Sequence, residues 1–260
     1  MKYKYIMTGS EGLIGKELRK SLKQQGHKCV LDIDRVNGNI VEDIHYLIYP
    51  KNVNILFHLV ANCKINKCIE NPGLAMENIE NTFTVLEYCR THKIPKIIYF
   101  SSSRVLNKER NPYVASKIAG EELVKAYAEC YGLQYLIVRP STVYGGEDKT
   151  GRLIDIWIKA AKENKPLYIY GDQNKTLSFT YIKDFIDGVL YYMDENNKEV
   201  NIMGKEENLT NVALQIIRQT KSNSTLEYLA AEIGQPQNIR FTSDYLCNTT
   251  IEEGIRKCLL

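Results

Sequence analysis

A short apolar run, Tyr5-Ile6-Met7, ends at Thr8 and opens directly into Gly9-Ser10-Glu11-Gly12-Leu13-Ile14-Gly15. Residues 16–25 then alternate polar and apolar with a helical period and stop at Gly26. Strand, glycine turn and helix in that order commit the N-terminal part to a β-α-β architecture. The glycines allow a tight turn and close approach of the backbone. The N–H groups and positive dipole end of the helix are then open to an anion such as a pyrophosphate. Gly9, Gly12, Leu13, Ile14 and Gly15 are the candidate residues of that cradle. A GxxxxGK[ST] phosphate loop is excluded, because Lys16 is followed by Glu17.

A second strand is expected over 28–33 and carries Asp32, 20 residues after Gly12. An acid there accepts from the adenosine ribose hydroxyls and repels a 2′-phosphate, which favours NAD over NADP. Asp32 and Ile33 are assigned to that cofactor site. Asp34 and Arg35, just beyond, complicate this choice: an Arg there would suit a phosphate and keeps the NADP reading open.

Further apolar runs at 55–59, 97–101 and 135–138 alternate with helical patterns, the longest over 74–91 and 113–131. Such alternation predicts an α/β fold, a doubly wound parallel sheet with ligands at the carboxyl ends of its strands. Helices over 150–163 and 211–219 read as a small C-terminal lobe, while 181–193 returns to the first domain. The expected division is 1–145 with 180–200 for the dinucleotide-binding domain, and 146–179 with 201–260 for a substrate-binding lobe.

The stretch Tyr113-Val114-Ala115-Ser116-Lys117 sets a phenol and an ammonium four residues apart near the start of a predicted helix, so both lie on one face. A buried cation beside the phenol favours the phenolate and lowers its pKa from about 10 toward working pH. That pairing suits general acid/base work on an alcohol or ketone.

Taken in series, these motifs carry a resemblance: GxxGxxG, Phe57-His58-Leu59-Val60-Ala61, Ser101-Ser102-Ser103, YxxxK, Asn78, Arg139 to Gly145 (RPSTVYG) and Leu167 to Asp184 (LYIYGDQNKTLSFTYIKD). The chain resembles the extended short-chain dehydrogenase/reductases, and within them the NAD-dependent epimerase/dehydratase family acting on nucleotide sugars. The resemblance implies a Rossmann-type sheet with NAD bound across it and Tyr113 as the proton-transfer residue. Lys117 would then lower its pKa while bonding the nicotinamide ribose. A serine completes the set. Counting back from Val105 selects Ser102, and counting forward from Phe100 selects Ser103; Ser102 is taken as catalytic and Ser103 as a substrate contact. Asn39 and Ile40 fall where the family meets the adenine ring, and an Asn there can bond the adenine amine. Leu59, Val60, Ala61 and Asn78 complete the cofactor set. The two long helices of relatives pair across a two-fold axis, so a homodimer through a four-helix bundle is expected.

Departures from the family pattern also carry information. In its 4,6-dehydratases an acidic residue follows the catalytic Thr or Ser, whereas Ser103 and Arg104 follow Ser102 here. Dehydratase chemistry is therefore disfavoured. Oxidation or reduction at a sugar carbon remains, as an epimerase acting at C4 or, alternatively, a 4-keto-sugar reductase using NAD(P)H. A non-catalytic dinucleotide-binding regulator is a third reading, and the retained Tyr113 and Lys117 argue against it. Leu177 and Thr142 stand where relatives use Arg and Asn on the nucleotide. Arg104 and Arg152, with Thr142, are the candidate substrate contacts; Lys175 and Arg240 are further cations for the diphosphate.

The net charge of +3, with no cluster of five Lys/Arg, argues against a nucleic-acid partner. No stretch reaches 18 apolar residues and no leader pattern opens the chain, so neither a membrane span nor a signal peptide is expected. Seven cysteines without a CxxC pair, and four histidines that do not cluster with them, read as reduced cytoplasmic thiols with no metal site. His58 is expected to pack at a strand end and not to act as a base.

Overall fold

The first strand, β1 (Lys4–Thr8), buries every residue after Lys4, as a strand covered on both faces must. In the computed structural model the described residues are 2–47, 49–107, 109–146, 151–234 and 242–260. The chain continues through α1 (Leu13–Gln24), β2 (Lys28–Ile33), β3 (Ile55–His58), α2 (Ile65–Glu70), α3 (Gly73–His92), β4 (Lys96–Phe100), α4 (Pro112–Tyr131) and β5 (Gln134–Pro140). These elements, with 189–200, form one of two compact units; 140–188 and 201–260 form the other.

The main sheet has the order β2-β1-β3-β4-β5, with β9 (Lys198–Ile202) at the far edge. The pairings β2–β1, β1–β3, β3–β4 and β4–β5 are all parallel. The chain leaves β1 for β2 on one side and then returns to lay β3 on the other. This reversal opens a crevice at the carboxyl ends of β1 and β3. One face of the sheet buries Ile6, Leu56, Ile97 and Ile137 with Val85, Leu86 and Val124 of the long helices. On the alternate positions Tyr5 and Phe57 meet edge to face, ring centroids 5.4 Å apart. The doubly wound parallel sheet expected from the sequence is thus present.

The second unit contains β6 (Thr142–Tyr144), α5 (Leu153–Lys162), β7 (Leu167–Tyr170) and β8 (Thr176–Tyr181). After α6 (Ile182–Tyr192) it adds β10 (Glu206–Asn208), α7 (Leu209–Thr220), β11 (Leu226–Leu229) and α8 (Ile251–Leu259). Its strands make a three-stranded sheet, β10-β8-β6, and a parallel pair, β11-β7. Its core gathers Tyr144, Trp157, Ile169, Phe179, Val212 and Ile255. The expected helix over 150–163 starts at Leu153; residue 150 lies outside the described residues.

Candidate functional site

The turn after β1 admits only glycine at two points. Gly9 has φ +73°, and a Cβ on it would come within 2.8 Å of the Val60 amide nitrogen. A Cβ on Gly15 would stand 2.2 Å from the Gly9 carbonyl oxygen. The backbone of the turn is therefore pressed against the exit of β3 and the start of α1. The N-cap of α1 is Gly12, with no side-chain cap and no acid in the first turn. Its N–H groups keep their capacity to bind an anion. A cradle that any side chain would fill, ending in uncapped amides, fits a dinucleotide pyrophosphate.

At the end of β2 the sequence expectation meets a complication. Tyr5 pairs with Cys29 and Ile6 with Leu31, so β2 bulges at Val30. The Asp32 carboxylate accepts from Arg19 Nη1 at 2.9 Å and from the Cys29 thiol at 3.0 Å. Burial, with this acid second, pushes the Cys29 thiol up to about 12. The acid that reaches the glycine turn is Asp34: its Oδ2 accepts from the Glu11 amide at 3.0 Å, and its Oδ1 from Val36. Arg35 is paired with Glu77 of α3. Asn39 donates from Nδ2 to the Asp32 carbonyl at 3.2 Å, and Ile40 caps the 3-10 turn Val41–Tyr46. Nothing in the string Lys28–Ile33 reveals the bulge from sequence.

At the exit of β3, Leu59, Val60 and Ala61 follow directly on His58. His58 is buried between two threonines, its Nδ1 2.9 Å from Thr8 Oγ1 and its Nε2 3.3 Å from Thr82 Oγ1. Burial, aided by the nearby Lys117 charge, depresses its pKa to about 3, so the ring is neutral. It packs, as expected, and offers no base at neutral pH. Asn78 is also a tether. Its Oδ1 accepts from the Asn62 amide at 2.7 Å, and its Nδ2 donates to the Asn62 carbonyl and to Ser116 Oγ at 3.1 Å. Ser116 Oγ in turn donates to the Tyr113 carbonyl at 2.7 Å. The first turn of α4 is thereby fixed to α3 and to the β3 exit.

That turn begins with Asn111, whose Oδ1 caps the Val114 amide, and with Pro112 at the first helical position. Tyr113 is 7% exposed and packs with Cys68, Val105 and Val114. Lys117, one turn on, is buried and donates from Nζ to the Phe100 carbonyl at 2.9 Å, above the ring of Tyr99. Burial lowers its pKa to about 8. Phenol and amine thus lie on one face of α4. Ser102 and Ser103 are both buried at the end of β4. Ser102 Oγ accepts from the Arg104 amide, and Ser103 opens the 3-10 turn Ser103–Asn107, whose Val105 packs on Tyr113. Arg104 reaches down to Glu109 at 2.9 Å.

The other substrate candidates lie in the second unit. Thr142 starts β6, and Arg152 precedes α5 with Nη1 3.4 Å from the Val143 carbonyl. Lys175 is buried and donates to the Tyr170 carbonyl at 2.7 Å; Arg240 is outside the described residues. Sequence reasoning overlooked a largely apolar cavity of about 500 Å³ in this unit, lined by Leu153, Ile156, Trp157, Pro166, Tyr168 and Tyr170. The exposed alternation of Tyr168 and Tyr170 along β7 is the signal that would have marked it. Among the described residues no three His, Cys, Asp or Glu side chains gather to hold a metal ion.

Comparison with known proteins agrees with this geometry. Residues 5–203 match the model of the NAD dependent epimerase/dehydratase family. The chain is 26% identical over 277 residues to the uncharacterized UDP-glucose epimerase YtcB of Bacillus subtilis, covering 90% of this chain and 88% of that one. It is 25% identical over 245 residues to the UDP-glucuronate 4-epimerase of Thermodesulfobacterium geofontis, covering 78% and 76%. The fold matches the crystal structure of the Thermotoga maritima UDP-glucose 4-epimerase, solved with UDP-glucose, with a TM-score of 0.86 at 20% identity over 98% and 97% of the two chains. With the glycine cradle, the reversed sheet order and the match over residues 5–203, this chain belongs to the NAD dependent epimerase/dehydratase family.

Proposed function

We propose that this protein is an NAD-dependent nucleotide-sugar epimerase that acts at C4 of the sugar by transient oxidation. The observation that carries the reading is the pair of buried side chains, Tyr113 and Lys117, on one face of α4 at the edge of the glycine-cradle unit. When bound, NAD supplies the site that takes up a hydride and returns it. Gly9, Gly12, Leu13, Ile14 and Gly15 hold its pyrophosphate, with Asn39, Ile40, Leu59, Val60 and Ala61 around the adenosine and nicotinamide halves. Tyr113 takes the proton of the sugar hydroxyl on oxidation and returns it on reduction. The Lys117 ammonium stabilises the phenolate, and Ser102, with Ser103 as the alternative, bonds the same sugar oxygen. Asn78 serves by fixing the turn that carries Tyr113.

Thr142 and Arg152, with Arg104, are the proposed contacts for the nucleotide of the substrate. The family description covers dehydratases as well as epimerases. Against dehydratase chemistry stands the absence of an acid directly after Ser102. A 4-keto-sugar reductase is the second reading, favoured by the short loop between Ser103 and Tyr113. Met76, Phe83 and Ile118 leave an apolar strip exposed on the two long helices, which supports a homodimer through these helices; light scattering at a monomer mass would set that aside. Seven unpaired cysteines fit a cytoplasmic location.

The test is catalytic. Purified protein is incubated with UDP-glucose or UDP-glucuronic acid, without added cofactor, and the anomeric proton signals are followed by NMR. Growth of the C4-epimer signals is expected. Unchanged spectra with both substrates, alongside reduction of a 4-keto-sugar nucleotide by added NADH, would favour the second reading.

A further inference from the structure

We propose that Tyr99 is a positioning residue for the reaction: the face of its ring holds the Lys117 ammonium where it serves Tyr113, and Gly120 is the notch that fixes the ring. The inference rests on reading Tyr113 and Lys117 as the proton-transfer pair and names what keeps that pair in place.

Tyr99 lies on β4, one residue before Phe100, and is 1% exposed. Lys117 meets both residues. Its Nζ donates to the Phe100 carbonyl at 2.9 Å and stands over the Tyr99 ring, 5.1 Å from the centroid. A single hydrogen bond leaves an amine at the end of a four-carbon stem free to pivot. The ring face supplies a second attraction from another direction, and the quadrupole of an aromatic ring draws a cation most strongly where water is excluded. Both contacts favour the charged amine, while burial disfavours it. Burial wins, and Lys117 is held below its ordinary value, at about 8. The ring therefore limits how far burial strips the amine of its charge at working pH. Among the other groups around the amine, His58 of β3 stacks on the Tyr99 ring with centroids 5.9 Å apart, and it is neutral, so it brings no second cation. Cys63, beyond β3, and Glu121 on α4 are the groups whose negative charge acts on Lys117. Glu121 is itself held by Arg139 of β5. Tyr113 shares the helix face of Lys117.

The ring is fixed at its far end. The Tyr99 hydroxyl bonds the Thr82 side chain, and Thr82 Oγ1 donates to the Asn78 carbonyl at 2.8 Å. A Cβ on Gly120 would stand 2.1 Å from Tyr99 Oη and 2.7 Å from its Cζ. Gly120 lies inside α4, three residues after Lys117 and so on the same side of the helix. Alanine would be the better helix former there. The helix forgoes that preference, and the space it leaves is filled by the phenol of Tyr99. The ring is thus seated against the helix that carries both Tyr113 and Lys117, so ring, amine and catalytic phenol keep one spacing. Tyr99 acts only through Lys117.

The experiment follows urea unfolding of the dinucleotide-free full chain from about pH 6 to about pH 10, a range that brackets the titration of the buried lysine. It compares wild type with Tyr99→Phe, Tyr99→Leu and Tyr99→trifluorophenylalanine, the last keeping the shape of the ring while cancelling its quadrupole. Each protein is paired with the same protein carrying Lys117→Met, so that every other titration cancels in the difference. In wild type that difference rises with pH from the folded value of the lysine upward. Tyr99→Phe should leave the onset of the rise in place. Tyr99→Leu and Tyr99→trifluorophenylalanine should move it down by about one pH unit, because the charged amine loses the ring face. The alkaline limb of turnover should move down with it. The proposal is overturned if the trifluorophenylalanine protein keeps the wild-type onset, or if Tyr99→Phe moves it as far as Tyr99→Leu. Should Tyr99→Leu fail to fold, the trifluorophenylalanine protein decides alone. Turnover of a nucleotide sugar with an unmoved onset would remove the positioning role and leave the proposed function standing. The expected shifts in a protein that turns over no nucleotide sugar would instead remove the catalytic reading, and this inference with it.

Discussion

The ammonium of Lys117 donates to the backbone carbonyl of Phe100 at 2.9 Å, joining the helix that carries Tyr113 to the last residue of β4. Burial is what lowers this lysine to about 8 from 10.5. Between those two values the unfolded chain still binds the proton and the native state has lost it, so stability rises with pH across that window. Below pH 8 the buried charge costs roughly 3 kcal/mol relative to a solvated lysine. Urea unfolding of dinucleotide-free protein at pH 7 and pH 10 should show wild type gaining about 2 to 3 kcal/mol on Lys117→Met. A constant difference between the two proteins would mean that Lys117 titrates normally. The same deprotonation removes the cation beside Tyr113, so turnover should fall on the alkaline side of pH 8.

Tyr113→Phe keeps the ring that packs with Val105 and Val114 and deletes only the hydroxyl. Turnover should drop by about 10² to 10⁴ while dinucleotide affinity changes little. Steady-state rates and a cofactor titration on the same preparation read both quantities. Near-wild-type turnover would remove the phenol from the mechanism.

Gly15→Ala tests the cradle. The added carbon would meet the Gly9 carbonyl oxygen at 2.2 Å, a backbone atom without freedom to rotate away. Overpacking of this kind costs about 1 to 3 kcal/mol, and here it opens the turn against which the pyrophosphate would rest. Loss of dinucleotide binding with a lowered thermal midpoint is expected. A variant that binds as wild type would show that the turn is not the pyrophosphate seat.

Much of the first unit was legible because its signals are local. The buried strands are continuous apolar runs, and α3 and α4, expected over 74–91 and 113–131, extend over Gly73–His92 and Pro112–Tyr131. The glycine turn announces itself by spacing. The bulge at Val30 was not legible, since no residue type marks it. In the second unit β6 and β10 are only three residues long and pair with β8 across distant sequence, which leaves too little periodicity to read. The helix α8 is short and has a wholly charged outer face, and only its Thr250 cap marks its start. The cavity lined by Trp157 and Tyr168 depends on α5 lying against β7, a tertiary fact.

Cofactor retention tests the central claim most directly. An epimerase returns the hydride to the sugar it came from and gains nothing by releasing its dinucleotide, whereas a reductase must exchange it at every turnover. Freshly purified protein is heat-denatured, the precipitate removed, and the released dinucleotide quantified by mass spectrometry against protein concentration. The account predicts close to one NAD per chain, with C4 epimers of a UDP-sugar interconverting without added cofactor. Protein that emerges empty, and consumes added NADH only in the presence of a 4-keto-sugar nucleotide, would contradict it.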